Sequence, residues 1–231
     1  MEGTAISAVG LKRAYKSGDQ GLFYAVGGIS IEIPAGKLVM IKGRSGSGKT
    51  TLINLLSGLD EPTEGQVSFK GRDYKKLSGR KKDNLRRAYM GFVFQSIALI
   101  PSMSAYENVD FALKLAGIKK DRDARIKELM EKVGLKKRMD HMAGQLSGGE
   151  QQRVAIARAV AHHPDVVFAD EPTGALDTAS GLAVVKLFRE LVETEGVTVV
   201  MTTHDPGIME MGDILYELED GKIINRIEYE H

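Results

Sequence analysis

The chain contains no cysteine, which excludes a disulfide framework and any cysteine-ligated zinc or iron–sulfur centre. It also lacks an excess of charge of either sign: 32 lysines and arginines face 31 aspartates and glutamates, a formal net charge of +1. A chain so balanced has no global field demanding nucleic acid or an acidic partner. No apolar run approaches the roughly 20 residues that span a bilayer. Met1–Gly10 has no basic stretch leading into an apolar one, the mark of a secretory signal. The expectation is a soluble, cytoplasmic chain, with any membrane part supplied by another polypeptide. Repeats, low-complexity tracts and disordered linkers are missing too. The 231 residues therefore read as one large domain, or as a domain with an inserted lobe.

Val9–Tyr15 and Ile29–Ile33 read as half-buried antiparallel strands, the second alternating isoleucine with Ser30 and Glu32. Pro34-Ala35-Gly36 turns the chain into a short apolar strand, Lys37–Lys42, which feeds a glycine cluster. A helix over Thr50–Ser57 follows, ended by Gly58, and Gln66–Lys70 and Met90–Phe94 are further strands. The middle is helical. Ala105–Ala116 and Arg122–Val133 place apolar residues three and four apart, Gly134 stops the second, and Glu150–His162 runs up to Pro164. Asp165–Ala169, Val197–Thr202 and Ile214–Glu219 are strands again, with a helix over Ala179–Glu193 between the first two. Strand–helix alternation at both ends predicts an α/β fold with a mostly parallel sheet and helices on both faces. An antiparallel β part precedes it, and residues 96–158 form a helical lobe inserted between 1–95 and 159–231. The charged stretch Lys75–Arg87 reads as a solvated segment, not a nucleic-acid site. His141, His162, His163 and the methionines read as structural or surface residues.

Gly43-Arg44-Ser45-Gly46-Ser47-Gly48-Lys49-Thr50 fits the phosphate-loop pattern, with a strand before it and a helix after it. Glycines let successive N–H groups turn toward phosphate oxygens, and the helix adds its positive end. Lys49 is placed to reach the β- and γ-phosphates, and the Thr50 hydroxyl to bind Mg²⁺. With Thr51, next in the chain, these are the candidate nucleotide-binding residues. The loop alone does not separate kinase, GTPase and transport ATPase. Asp165–Ala169 is an apolar strand that ends in Asp170 and Glu171, and parallel strands deliver functional groups at their C-terminal ends. Asp170 suits Mg²⁺; Glu171 suits a base that takes a proton from an attacking water. A kinase or small GTPase has no need of that second acid.

Leu146-Ser147-Gly148-Gly149-Glu150, followed by Gln151-Gln152-Arg153, resembles the signature motif of ABC ATPases, with glutamate where glutamine is commoner. A serine and two glycines at a helix start make a second phosphate cradle. The resemblance covers essentially the whole chain. It implies the P-loop ABC ATPase fold with a RecA-like core, MgATP as the bound nucleotide, and a head-to-tail homodimer. In that dimer Ser147, Gly148 and Gly149 of one chain face the P-loop of the other. It further implies a nucleotide- and metal-sensing role for Gln95, a γ-phosphate contact for His204, an interface role for Asp177 and adenine stacking for Tyr15. An integral membrane permease is the implied partner, which places the chain at the inner face of the cell membrane. Gly58–Gly65, Gly91–Gln95, Glu107-Asn108-Val109 and Asp170–Asp177 are similar to the lipoprotein-release and macrolide-export (LolD/MacB) group and related Gram-positive peptide-resistance exporters. The departures are Ala175 for asparagine, Ala143 for proline, and Phe111-Ala112-Leu113 for Leu-Pro-Leu. The permease is expected to dock on an apolar surface of Ile97, Leu99, Ile100, Met103 and Tyr106. DNA-acting relatives insert very long coiled coils between P-loop and signature, whereas Lys49 and Ser147 here lie about a hundred residues apart. Ribosomal ones carry two cassettes, and this chain has one. An effector whose permease moves no substrate is the remaining alternative.

Overall fold

A computed structural model describes residues 3–16 and 21–230. In chain order the elements are β1 (Thr4–Lys16), β2 (Leu22–Pro34), β3 (Leu38–Lys42), α1 (Lys49–Leu56), β4 (Glu64–Phe69) and β5 (Arg72–Asp73). Then come α2 (Gly79–Tyr89), β6 (Met90–Val93), α3 (Ala105–Leu115), α4 (Arg122–Lys132) and α5 (Gly148–Val160). β7 (Val166–Ala169), α6 (Thr178–Glu195), β8 (Thr198–Thr203), β9 (Ile214–Glu219) and β10 (Lys222–Glu228) complete the fold.

Among the described residues the strands form two sheets. One is antiparallel, in the order β2-β1-β4-β5. The other has the order β10-β9-β3-β8-β7-β6, parallel throughout except for β10, which folds back at the edge. Strands buried on both faces need apolar side chains in both directions, and β3, β7 and β8 supply them. Alternate residues enter different cores, as the period of two requires. Leu38, Met40, Val167, Val199 and Met201 join α3–α6 on one side, while Val39, Ile41, Phe168 and Val200 join α1 and the antiparallel sheet on the other. The α/β fold with its mostly parallel sheet is as expected.

The helical middle is seated directly on this sheet. A Cβ on Gly91 of β6 would lie 2.2 Å from the Ala159 carbonyl oxygen of α5, so only glycine permits that approach. α3 starts with a capping box between Ser104 and Glu107. Behind it, fully buried Asn108 accepts from Ile100 N–H (2.8 Å) and donates to the carbonyls of Ile100, Met103 and Ser104. It thereby fixes the loop that leaves β6, where Ile97 and Ala98 hold left-handed φ of 63° and 47°.

Besides the two-residue strand β5, two elements differ from the sequence reading. The charged stretch is not merely solvated chain: α2 forms within it, burying Leu85, while Arg86 donates to the Gly58 carbonyl and pairs with Asp83. β10, with a mostly exposed pattern, exists because it pairs with β9. Neither carries an apolar periodicity of its own.

Asp213 joins the sheet to α6. It is buried, accepts from Leu38 N–H (2.7 Å) and Arg189 Nη1 (2.9 Å), and lies 3.8 Å from Lys37 Nζ. Burial pushes its pKa up, but the Arg189 guanidinium, the Leu38 amide and Lys37 outweigh that and hold it below the ordinary aspartate value. A depressed carboxylate stabilises the fold above its unfolded pKa, about 3.9, and loses that contribution as pH falls through the folded value. Asp213→Asn is expected to lower stability near pH 7 by about 1–3 kcal/mol. Thermal unfolding should show wild type and variant converging as pH drops below about 4.

Candidate nucleotide-binding site

The loop from β3 to α1 is built where side chains do not fit. Gly46 and Gly48 have φ of 81° and 101°. A Cβ on Gly48 would meet the Ala25 carbonyl oxygen at 2.2 Å, and one on Gly43 would meet Ser47 Oγ at 2.4 Å and the Leu218 carbonyl oxygen at 2.5 Å. The loop is thus wedged between β2 and β9. α1 begins at Lys49 with Gly48 as its N-cap and no side-chain cap, so its first amides are left to an external acceptor. The buried Ser47 hydroxyl has no hydrogen-bond partner among the described residues. Orphaned donors at a helix N-terminus fit phosphate oxygens. A cavity of about 500 Å³ adjoins the loop, bounded by Gly43–Ser47, His204 and the β9–β10 turn. Thr50 is exposed and Thr51 half-buried on the first turn of α1.

Lys49 is buried, its Nζ donating to the carbonyls of Gly43 (2.8 Å) and Arg44 (3.1 Å). Its third neighbour is Glu171 Oε1 at 3.1 Å. Glu171 follows β7 with a left-handed φ of 43°, a costly conformation for a residue with a Cβ. Its N–H donates to Thr202 Oγ1 (2.8 Å), and that hydroxyl donates to Asp170 Oδ1 (2.7 Å). One hydroxyl of β8 therefore fixes both acids. On the far side of the Glu171 carboxylate, Gln95 Nε2 and His204 Nδ1 each lie 3.5 Å from Oε2, at the outer limit of hydrogen bonding. The gathering follows from topology. β3, β8, β7 and β6 are neighbours and parallel, so the residues after their C-terminal ends meet along one edge. Among the described residues no three carboxylates or imidazoles cluster as a metal cage. Asp170 with the Thr50 hydroxyl suits a hard cation that keeps substrate and water oxygens as its other ligands.

The other predicted residues lie elsewhere. Ser147 caps α5 in a capping box: Glu150 Oε2 accepts from Ser147 N–H (2.8 Å) and Ser147 Oγ accepts from Glu150 N–H (3.3 Å). The Ser147 amide holds the Glu150 pKa below the usual carboxylate range, and Arg138 pairs with it at 3.3 Å. Gly148 and Gly149 face Leu176 and Ser180. Asp177 caps α6, accepting from Ser180 N–H (3.0 Å) and Oγ (2.7 Å), which lowers its pKa. Among the described residues none of these makes a hydrogen bond or ion pair with the loop at 43–50. Nor does Tyr15: its hydroxyl reaches Asp60 (3.2 Å), and the Arg13 guanidinium sits 4.9 Å from its ring centre. Thr202 was missed by the sequence reading. Its only signal there is a hydroxyl inside the apolar run of β8.

A second concavity, about 640 Å³, opens between α2 and β6 on one side and α3 on the other. Leu59, Phe92, Phe94, Ile100, Phe111 and Leu115 line it, with Arg87 and Arg158 also on its wall. Of the five residues expected to form an apolar docking surface, only Ile100 lines this groove; Leu99 and Tyr106 pack against the core. Asn108 holds the loop at residues 100–104, and the aromatic part of the groove comes from Phe92 of β6, Phe94 just after it and Phe111 of α3.

A mostly parallel sheet with a glycine loop, a buried lysine and paired acids at the strand ends defines a P-loop nucleoside triphosphatase. The profile described as "ABC transporter" matches residues 26–174, and the chain belongs to that family. An uncharacterized ABC transporter ATP-binding protein of Methanocaldococcus jannaschii is 45% identical over 204 residues, covering 88% of this chain and 91% of that protein. One of Thermotoga maritima is 46% identical over 200 residues, covering 86% and 85%. The macrolide export ATP-binding/permease protein MacB of Salmonella typhimurium is 44% identical over 216 residues, 93% of this chain but only 33% of MacB. The dimeric ATP-binding cassette MJ0796, solved in a post-hydrolysis state with ADP and Pi, superposes with a TM-score of 0.89 at 36% identity, covering 98% of this chain and 99% of the other. The chain is accordingly an ATPase that binds ATP with Mg²⁺, the ATP-driven subunit of a transporter.

Thr202→Val would leave the Glu171 amide and one Asp170 oxygen without their partner, costing about 1–3 kcal/mol. ATPase assays are expected to show kcat lower by roughly tenfold or more, with Thr202→Ser close to wild type. Unchanged turnover in Thr202→Val would remove the hydroxyl from the account.

Proposed function

We propose that the chain hydrolyses ATP as a head-to-tail homodimer and passes the resulting motion to an integral membrane permease. The observation that carries this reading is the division of the predicted site within one chain. Lys49, Gln95, Glu171 and His204 converge, while among the described residues Ser147, Gly148 and Gly149 have Glu150, Arg153, Leu176 and Ser180 as neighbours and none of the P-loop. In this reading the second phosphate cradle, separate from the first, is completed by another copy. That the similar MJ0796 cassette is dimeric supports a dimer here.

In this scheme Gly43–Thr51 hold the phosphates, with Lys49 neutralising charge as it develops on the transferred group. Glu171 accepts the proton of the attacking water. The Glu171–Lys49 contact gives way to substrate, since the carboxylate must be free to act as a base. Gln95 and His204, already beside that carboxylate, orient the water and the γ-phosphate. Asp170 and Thr50, with Gln95, would hold Mg²⁺, whose charge would offset that of the phosphates. Tyr15 presents its exposed ring to adenine after leaving Asp60, and Asp177 meets the second chain. Residues 1–95 and 159–231 act as the RecA-like core and 96–158 as the helical subdomain.

The groove lined by Phe94, Phe111 and Leu115 receives the permease. Exposed apolar side chains converging in one concavity mark an interaction site, and the MacB relatives carry a permease in the same polypeptide. Among the described residues no helix is long and apolar enough to cross a membrane. The chain then works at the inner membrane face, held there by its partner.

Glu171→Gln is expected to keep ATP binding, lower turnover by about 10²–10⁴, and accumulate as an ATP-bound dimer in light scattering. Fast turnover by that variant would overturn the base assignment. Phe111→Asp is expected to abolish co-purification with the permease while leaving ATP binding by the isolated chain intact.

A further inference from the structure

Away from the P-loop, the most elaborate polar cluster joins the far ends of two helices. Arg125 of α4 donates through Nη2 to Glu195 Oε2 (2.7 Å) and through Nη1 to Glu195 Oε1 (3.4 Å) and Glu128 Oε1 (3.1 Å). The same guanidinium donates to the carbonyls of Val160 (3.2 Å, Nη2) and Ala161 (3.3 Å, Nε). Those carbonyls close the C-terminal end of α5, where helices leave acceptors unsatisfied. Glu195 is the last residue of α6 and also takes Lys132 Nζ at 3.0 Å, with His163 Nδ1 at 3.6 Å. Both central side chains are largely buried, Arg125 10% and Glu195 14% exposed. Burial pushes the Glu195 pKa up, but Arg125 and Lys132 outweigh it and keep the carboxyl below its usual range.

The opposite ends of these two helices carry the motifs at issue. α5 begins at the Ser147 cap and α6 at the Asp177 cap, and a Cβ on Gly149 would lie 3.3 Å from Ser180 Oγ. The helices therefore lie together at their N-terminal ends and are clamped at their C-terminal ends by one guanidinium. α5 is about 20 Å long, so a tilt of some 10° at its C-terminal end displaces Ser147 by about 3 Å. That exceeds the tolerance of a phosphate contact. A bidentate arginine–carboxylate pair fixes direction as well as distance, which a surface ion pair does not.

We infer that Arg125, with Glu195, is a positioning residue for ATP turnover: it clamps α5 to α6 and sets Ser147–Gly149 in register with Asp177 for the second chain. The inference rests on the head-to-tail reading above. It acts on dimer closure and leaves nucleotide capture by a single P-loop alone.

The test uses the full chain carrying Glu171→Gln, with Arg125→Met, Arg125→Lys or Glu195→Gln added. Affinity for a fluorescent ATP analogue is measured at protein concentrations where the chain is monomeric, and ATP-driven dimerisation by sedimentation. For Arg125→Met, nucleotide affinity should stay within about twofold of the parent while the dimerisation constant weakens at least tenfold. Arg125→Lys should fall between them, and Glu195→Gln, which keeps the side-chain shape, should shift dimerisation in the same direction. Parental dimerisation by Arg125→Met overturns the clamp; so does a parallel loss of nucleotide affinity and melting temperature in all three variants, the mark of a purely structural role. Ser147→Arg separates the two ideas. If it too dimerises normally, the head-to-tail reading fails. If it alone abolishes dimerisation, only the clamp fails.

Discussion

Glu171 stands 3.1 Å from a buried Lys49, with its backbone N–H on a threonine hydroxyl that also holds Asp170. This arrangement is the constraint from which the rest of the site follows. A buried ammonium is costly unless it is paired and hydrogen-bonded, and two loop carbonyls with one carboxylate meet that need. The pair thereby draws the glycine loop and the end of β7 together. The left-handed backbone at Glu171 is tolerated because Thr202, one strand over, fixes the amide. That relay exists only because β8 lies between β3 and β7. The strand order is thus a chemical as well as an architectural fact.

The same economy of contacts explains what the chain does not bring together. Ser147 and Asp177 are satisfied as helix caps by their own first turns, so neither is drawn toward Lys49. Their N-termini lie exposed and side by side, a surface with oriented amides and little side-chain bulk. Glu150, in place of the commoner glutamine, strengthens the cap: an ionised acceptor in the first turn is favoured by the helix dipole, and Arg138 neutralises its outer face. The departure from the motif alters how the turn is held while the serine and glycines stay where they are.

Much of this was legible in the sequence. β9 appears over the residues its apolar pattern indicated, Ile214–Glu219, and the parallel strands announced themselves as short β-branched runs flanked by glycines and acids. The P-loop, Asp170 and Glu171 were legible because their spacing along one strand or loop is itself the chemistry. Elements whose stability comes from elsewhere were not. α2 buries only Leu85, and β10 depends on pairing with β9. Thr202 looks like any strand threonine until β7 is laid beside it, and Arg125 like any helix-surface arginine until α5 and α6 end against it. Tyr15 was legible as an aromatic at a strand end, but its engagement with Asp60 is a contact across distant positions. The segment after Gln95 is apolar, which points to it as the groove, but its five apolar residues are half-buried and only Ile100 lines the concavity; the exposed Phe94, Phe111 and Leu115 stand out only once β6 and α3 are side by side.

The central claim is that a working site takes its P-loop from one chain and its signature from another, and mixing two defective chains tests it most directly. A Lys49→Ala chain retains its signature, and a Ser147→Arg chain retains its P-loop. Each alone should be inactive. Mixed, they should form a dimer with one intact site and recover ATPase activity well above either parent. A mixture as inactive as its components, with heterodimers demonstrated by differential tagging, would contradict the account.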